Sequence, residues 1–351
     1  MIYYLSKNLS IRNYNVDITC MGNYDKVENT QYGRIIIFHI PTFYFLGKFN
    51  IFIRKAIYNK RLRQFVKENG DKYYSIHIHG DVGGFRELSK FNTTITLHGF
   101  SIQTHADRNM IERLFIRFTS GRTELDNIKY AKKIVVVSKN VKKYVQKYTK
   151  KSINVIFNSV DTKKYSQPTK HMRNIIRRKL DFKKNVVYVI FVGGDYYRKG
   201  LDIAISSIKL LNNEQLFLNV IGTKPKSTTV CRNIRFLGKV DESSKLQYYQ
   251  ASDIFILPSR GEGFAISPLE AMSCGLPIII SEFTGTNEII ADGKEGFIIK
   301  KNNPLSYYKA INKMLKIKDL KNMQTNARAC AVRHNYSTLT KEYINIYKKL
   351  D

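Results

Sequence analysis

At 351 residues with 43% hydrophobic side chains, the chain is too long for one ordinary domain and too apolar to be disordered throughout. Lys and Arg number 59 against 28 Asp and Glu, a formal charge of +31 spread over both halves, so the expected partner is anionic: a membrane surface, a nucleic acid or a phosphorylated small molecule. Four scattered cysteines with no C-x-x-C pair exclude a zinc site built from cysteine pairs, argue against a disulfide scaffold and point to a reducing, cytoplasmic setting.

Met1–Ser10 lacks the apolar core of a secretory leader. Tyr3–Ser10 reads as a helix. Short apolar runs of strand length then alternate with helical patterns: Val16–Cys20, Arg34–Phe38, Tyr74–Ile78, Thr93–Leu97, Lys133–Val137 and Ile153–Phe157, followed by Val186–Val192, Phe217–Ile221, Ile234–Leu237, Ile254–Leu257, Pro277–Ser281 and Gly296–Ile299. Runs without regular polar alternation predict strands covered on both faces, and their alternation with helices predicts an α/β fold with right-handed crossovers. Twelve strands exceed one ordinary open sheet, so two doubly wound domains are expected, 1–165 and 166–335, divided in the polar, basic stretch after the sixth strand. A closing helix over 336–351 starts at Ser337 and carries an apolar face at Leu339, Tyr343, Ile346 and Tyr347, suited to returning to the first domain.

The longest apolar stretch, Ile35–Ile53, is broken by His39, Pro41, Lys48 and Asn50, unlike a helix that crosses a bilayer. Within Phe43–Lys67, aromatic residues mix with Lys48, Arg54, Lys55, Lys60, Arg61 and Arg63. The pattern suits a helix lying in an anionic membrane interface and equally a helix packed on a sheet with solvated cations.

Two segments carry chemistry. In Phe191–Gly200 (FVGGDYYRKG) a strand runs into Gly193 and Gly194, then Arg198 and Lys199, then a helix. Glycines admit close backbone approach, and a helix N-terminus with two cations makes a phosphate-binding corner; alone, the same residues also suit a solvated turn. In Pro258–Met272 (PSRGEGFAISPLEAM) a strand enters a glycine-flanked loop and then a helix with Pro268 in its first turn. Glu262 lies in the loop and Glu270 in that first turn, so both can face a crevice at the carboxyl ends of the strands. The plainer reading leaves Glu262 solvated and Glu270 favouring the helix dipole. No metal constellation is evident: His77 and His79 lie at i, i+2 without a third ligand. No helix-turn-helix, zinc or RNP-type signature is present either, so a nucleic-acid partner rests on charge alone.

Taken together, FVGGDYYRKG, the Glu–seven residues–Glu loop and the GKEGFII segment resemble the retaining nucleotide-sugar glycosyltransferases of the GT-B fold, specifically glycosyltransferase family four. The resemblance covers most of the chain and is strongest over Val186–Ile299. It implies two Rossmann-like domains facing an interdomain cleft, and transfer of a hexosyl-type sugar from a nucleoside diphosphate to an acceptor hydroxyl with retention. The acceptor would be lipid-linked or a growing glycan, on the inner face of the membrane. Glu270 would bind the donor ribose, and Glu262 would lie near the transferred sugar. Amides of Gly263, Phe264 and Ala265 would hold sugar hydroxyls, and those of Ile266 and Ser267 the diphosphate. Arg198 and Lys199 would neutralise the departing diphosphate beside Gly193 and Gly194, Val240 would border the nucleobase, and His98 would lie near the donor sugar. The resemblance implies no metal and no cofactor besides the donor. The family normally opens with a strand and a glycine loop, whereas here Tyr3–Ser10 matches its first helix and Val16–Cys20 its second strand. The N-terminal domain is therefore expected to lack its first strand, which leaves open a catalytically impaired relative that only binds a nucleotide sugar or polyanion.

Overall fold

The computed structural model describes residues 2–22, 26–30, 33–39, 50–80, 82–99, 110, 117–225 and 232–348. Its contacts divide the chain into two units, Met1–Phe157 with Tyr336–Asp351, and Asn158–Asn335.

The first unit opens with α1 (Ile2–Ser10), β1 (Asp17–Gly22), β2 (Lys26–Thr30) and β3 (Gly33–His39). It continues through α2 (Asn50–Asn69), β4 (Ile76–His79), β5 (Thr93–Leu97), α3 (Arg122–Tyr130), β6 (Lys133–Val136), α4 (Lys139–Val145) and β7 (Ile153–Val155). Strands β4-β5-β6-β7 form a parallel sheet, and β1-β3-β2 a separate one in which β1 runs parallel and β2 antiparallel to β3. Among the described residues no strand joins β1 to β4. β2 was not expected: KVENT carries one apolar residue, Val27, and that side chain is exposed, so an edge strand with no buried face leaves no apolar period to read.

The second unit contains α5 (Lys170–Lys179), β8 (Val187–Val192), α6 (Leu201–Leu211), β9 (Leu216–Ile221), β10 (Ile234–Gly238), α7 (Glu242–Ala251) and β11 (Ile254–Leu257). Beyond these lie α8 (Ser267–Ser273), β12 (Ile278–Ser281), β13 (Gly296–Ile299), α9 (Pro304–Leu315) and α10 (Lys321–Arg333). All six strands are parallel in the order β10-β9-β8-β11-β12-β13. The central β11 and β12 are buried throughout, as their unbroken apolar runs require.

Residues 158–165, assigned to the first domain by sequence, pack with the second unit. The Asn158 amide donates to the Phe264 carbonyl, Arg328 donates to the carbonyls of Thr162 and Tyr165, and the Tyr165 hydroxyl donates to Glu242 at 2.7 Å. The polar stretch beyond them forms α5, capped by Thr169 and pinned by Arg173 and Arg177 to Asp253.

The closing helix α11 (Tyr336–Lys348) belongs to the first unit. Its stripe of Leu339, Tyr343, Ile346 and Tyr347 is buried with Leu5 and Leu9 of α1, Val135 and Ile156. Tyr4 stacks on Tyr336 at 4.3 Å. Of the basic-aromatic segment, residues 43–49 lie outside the described ones. The remainder is in α2, whose Tyr58, Leu62 and Val66 are buried at i, i+4, i+8. Among the described residues no helix is long and apolar enough to cross a membrane. Cys20, Cys274 and Cys330 are free thiols; Cys231 lies outside the described residues.

Tyr343 has no exposed surface, and its hydroxyl shares a hydrogen bond of 2.9 Å with Thr96 in β5. Tyr343→Ala is expected to cost the first unit about 3–5 kcal/mol, the usual cost of truncating a buried aromatic. Denaturation followed separately in the two units checks this: the second unit should unfold at an unchanged midpoint.

Candidate donor site

The strand order of the second unit reverses between β8 and β11. From β8 the chain builds outward through β9 and β10, then crosses back to lay β11 on the other side. Crossover helices diverge at such a reversal and leave a crevice beyond the carboxyl ends of the two strands. The loops entering it are the two singled out by sequence: Gly193–Gly200 follows β8, and Pro258–Ile266 follows β11.

These loops are locked together through backbone. Gly200 has φ of +72°, and a Cβ there would lie 1.9 Å from the Pro258 carbonyl oxygen. Only glycine permits this approach. The Arg260 N–H donates to the Arg198 carbonyl at 2.8 Å, and Ser259 Oγ donates to the same oxygen. The Arg260 guanidinium forks onto Asp202 at 2.8 and 2.6 Å and stacks on the Tyr197 ring. The Gly193 carbonyl accepts instead from Thr223 Oγ1, just beyond β9, and Gly194 is exposed.

The structure brings Arg198, Lys199 and Glu262 to one point. Arg198 Nη1 and Lys199 Nζ each lie 2.7 Å from Glu262 Oε1, and Arg198 Nε lies 3.2 Å from Asp195 Oδ2. Burial pulls the Arg198 guanidinium down, but the charges and hydrogen bonds of Glu262 and Asp195 outweigh it and raise its pKa, so it stays cationic. Glu262 is thus not a solvated loop residue: it holds both cations.

Glu270 is seated apart from that cluster. Oε1 lies 3.1 Å from Lys245 Nζ, and Oε2 accepts from the Tyr249 hydroxyl at 2.9 Å. Burial raises its pKa against the opposing pull of Lys245 and Tyr249. Lys245 in turn pairs with Glu242 at 2.8 Å, which also accepts from Tyr165. Burial raises Glu242, yet the hydrogen bonds from Lys245, Tyr165 and Lys164 win and bring it down to about 2. Sequence reasoning missed Lys245 and Tyr249. Their i, i+4 spacing on α7 is the signal that they share a face, but nothing local says that the face meets Glu270.

The loop between the glutamates is only partly available. The Ala265 N–H, expected to meet a sugar hydroxyl, donates instead to the Thr284 carbonyl at 2.8 Å, because Gly285 lets that strand end lie against Gly263. Phe264 and Ala265 are buried, Ile266 is exposed, and Ser267 Oγ is buried with no hydrogen-bond partner among the described residues. Val240 is half-buried just beyond Gly238, whose carbonyl accepts from the Gly222 N–H at 2.7 Å.

His98 lies in the first unit, one residue beyond β5. His98 Nε2 and His79 Nδ1 share a hydrogen bond of 3.1 Å, while His77 bonds Tyr347 and Thr96 at 2.6 and 2.8 Å. Burial lowers His77 to about 3 and His98 to about 4, and takes His79 well below the usual range.

With these geometries established, comparison with known proteins decides the family. Residues 172–329 match the Glycosyl transferases group 1 family, and residues 1–164 match Glycosyltransferase Family 4. The chain belongs to the family-four glycosyltransferases. It is 24% identical over 339 residues to an uncharacterized glycosyltransferase of Methanocaldococcus jannaschii, covering 93% of this chain and 88% of that protein. Over 169 residues, 46% of this chain and 44% of the relative, it is 27% identical to the N,N'-diacetylbacillosaminyl-diphospho-undecaprenol alpha-1,3-N-acetylgalactosaminyltransferase of Campylobacter jejuni. Among solved structures, sucrose-phosphate synthase of Thermosynechococcus elongatus superposes with a TM-score of 0.81 at 18% identity, covering 99% of this chain and 92% of that one. HepE of Anabaena in complex with UDP-glucose superposes at 0.68 and 16%, covering 91% and 87%. These likenesses establish the two Rossmann-like domains of the GT-B fold.

The buried histidines of this glycosyltransferase set an acid limit. A histidine whose folded pKa is depressed contributes stability that is fully present above its unfolded value near 6.5 and lost as pH falls toward the folded value. Between pH 6.5 and about 4, His77 and His98 should each cost the first unit about 1.4 kcal/mol per pH unit. Denaturation of His77→Gln at pH 7, 6 and 5 should show a shallower decline than the parent; parallel curves would refute the assignment.

Proposed function

We propose that the enzyme transfers a hexosyl-type sugar from a nucleoside diphosphate to an acceptor hydroxyl with retention of configuration. The observation that carries this reading is the convergence of Arg198 and Lys199 on Glu262 at the strand-order reversal. A departing diphosphate gains negative charge as the glycosidic bond breaks, and fixed cations aimed at it lower the barrier. The phosphate would exchange for Glu262 and Asp195 as partner of the two cations. Glu262 would then be released toward the sugar it borders.

The remaining assignments follow the crevice. Glu270, oriented by Lys245 and Tyr249, binds the ribose hydroxyls. Amides of Gly263 and Phe264 meet the sugar, those of Ile266 and Ser267 with the Ser267 hydroxyl meet the diphosphate, and Val240 borders the base. His98, held neutral by burial, serves as a hydrogen-bonding group rather than an acid. In the chemical step the bond from the anomeric carbon to the phosphate oxygen breaks. The acceptor oxygen bonds that carbon on the same face, and its proton passes to the leaving phosphate. The two cations supply the charge, so the reading invokes no metal or further cofactor. The UDP-glucose bound by HepE supports the donor class, and the undecaprenol-linked name of the Campylobacter relative supports a lipid-linked or growing glycan as acceptor. The +31 charge suits work in the cytoplasm at the anionic inner face of a membrane.

Thermal unfolding against UDP, GDP, ADP and their common sugars tests the donor site. A ligand at about 100 times its dissociation constant adds about 2.7 kcal/mol. One nucleotide should shift the melting temperature, and Glu270→Ala should abolish that shift. Arg198→Ala should lower transfer about 10²–10³-fold with the fold intact. Normal turnover in Arg198→Ala would sink the assignment, a nucleotide shift without transfer to any acceptor would favour the impaired relative, and no shift with any nucleotide would overturn the donor site.

A further inference from the structure

The two loops of the donor crevice are held in different ways. The loop after β11 is rooted in the sheet. Asn302, just beyond β13, donates to the carbonyls of Pro258 and Ser259 at 3.2 and 3.1 Å, and Ser281, at the end of β12, donates to the Ser259 carbonyl at 2.6 Å. Ser259 itself has no exposed surface. The turn after β8 is tied at its two ends, Gly193 to Ile221 and Thr223, and Gly200 against the Pro258 carbonyl. Its tip is different: Gly194, Asp195 and Tyr197 are exposed. Bonds within the turn run from the amides of Lys199 to Asp195, Gly200 to Tyr197 and Leu201 to Tyr196. They fix the shape of the tip but not its placement over the crevice.

Arg260 reaches from the rooted loop to that tip. Its N–H and the Ser259 hydroxyl both donate to the Arg198 carbonyl, at 2.8 and 3.0 Å. Its guanidinium donates to the Tyr197 carbonyl, lies 3.8 Å from the centroid of the Tyr197 ring, and forks onto Asp202 in the first turn of α6. The Cα of Arg198 thus lies between two tethered carbonyls, both held from residue 260. The fork directs the charge of Arg260 onto Asp202, while Arg198 and Lys199 meet on Glu262. A planar guanidinium can fork and stack at once, which an ammonium cannot. Both members of the Arg260–Asp202 pair are partly exposed, so the pair adds little to stability and its weight falls on geometry.

On the donor-site reading of this crevice, on which this inference rests, we propose that Arg260 is a positioning residue: it fixes the tip of the β8 turn and so aims the Arg198 guanidinium at the diphosphate. Truncating its side chain releases Tyr197 and leaves the backbone bond to Arg198. The tip then keeps its internal bonds and α6 keeps its start at Gly200, so the unit stays folded. What is lost is the fixed origin of the Arg198 side chain. Binding of the diphosphate suffers, whereas binding of the nucleoside does not, because Glu270 is held separately by Lys245 and Tyr249.

Two variants of the whole chain test this. Arg260→Met keeps the length of the side chain without fork or charge, and Arg260→Lys keeps the charge without fork or plane. Binding of UDP, GDP and ADP, and of uridine, guanosine and adenosine, is titrated in the parent, in both variants, and in Arg198→Ala with and without Arg260→Met. For the base that the parent binds, Arg260→Met should weaken the diphosphate about tenfold, the usual worth of one hydrogen bond to a charged group, and leave the nucleoside within about twofold. Arg260→Lys should not restore the loss. In the Arg198→Ala background, Arg260→Met should weaken binding by less than about a further twofold, because a residue that acts through Arg198 has nothing left to position. Unchanged diphosphate binding in Arg260→Met, full binding in Arg260→Lys, an equal loss of the nucleoside, or a second complete loss in the Arg198→Ala background would each overturn the proposal. A parent that binds none of these diphosphates would overturn the donor-site reading and this proposal with it.

Discussion

The reversal of strand order between β8 and β11 is the constraint on which the candidate site rests. It places the ends of two neighbouring parallel strands side by side while sending their following helices to different places, so the loops after them must meet over the gap. Their meeting is tight enough to demand glycine at position 200 against the Pro258 carbonyl. Once that contact exists, Arg198 and Glu262, far apart in the chain, sit within hydrogen-bond distance. Arg260 on Asp202 and Tyr197 braces the same junction from outside.

Charge in this site is balanced locally instead of being left as a bare positive pocket. Arg198 and Lys199 share one carboxylate oxygen of Glu262, and Lys245 bridges Glu242 and Glu270. Partly buried ions cost too much to leave unpaired, so each cation carries an internal counter-ion. In the proposed transfer, an incoming diphosphate would compete with a carboxylate already in place, and the freed carboxylate would become available beside the ligand.

The two units differ in how their cores are closed. The second is closed by a six-stranded sheet whose inner strands β11 and β12 are buried throughout. The first relies on the last helix of the chain, with Tyr343 and Tyr347 reaching the hydroxyl and imidazole groups of β4 and β5. There His77, His79 and His98 are held neutral by burial, the source of the unit's expected acid sensitivity.

Much of this was legible in advance. All twelve runs became strands, because a strand covered on both faces is mostly apolar, with buried exceptions such as Thr93, Thr94 and Thr96 of β5 and Asn219 of β9. The stripe of the last helix packed as its spacing required. The Gly193–Lys199 corner and the Glu262–Glu270 loop announced themselves through residue type and local order. The edge strand β2, the alliance of residues 158–165 with the second unit, the engagement of the Ala265 amide by Thr284 and the seating of Glu270 by Lys245 and Tyr249 were not legible. Each depends on which segments the crossovers bring into contact. Periodicity and turn chemistry act between near neighbours in the chain, so sequence alone determined the elements and picked out the residues of the two loops that meet at the candidate site. Ion-pair partners and the engagement of the Ala265 amide arise between segments distant in sequence, and only the packed structure decided them.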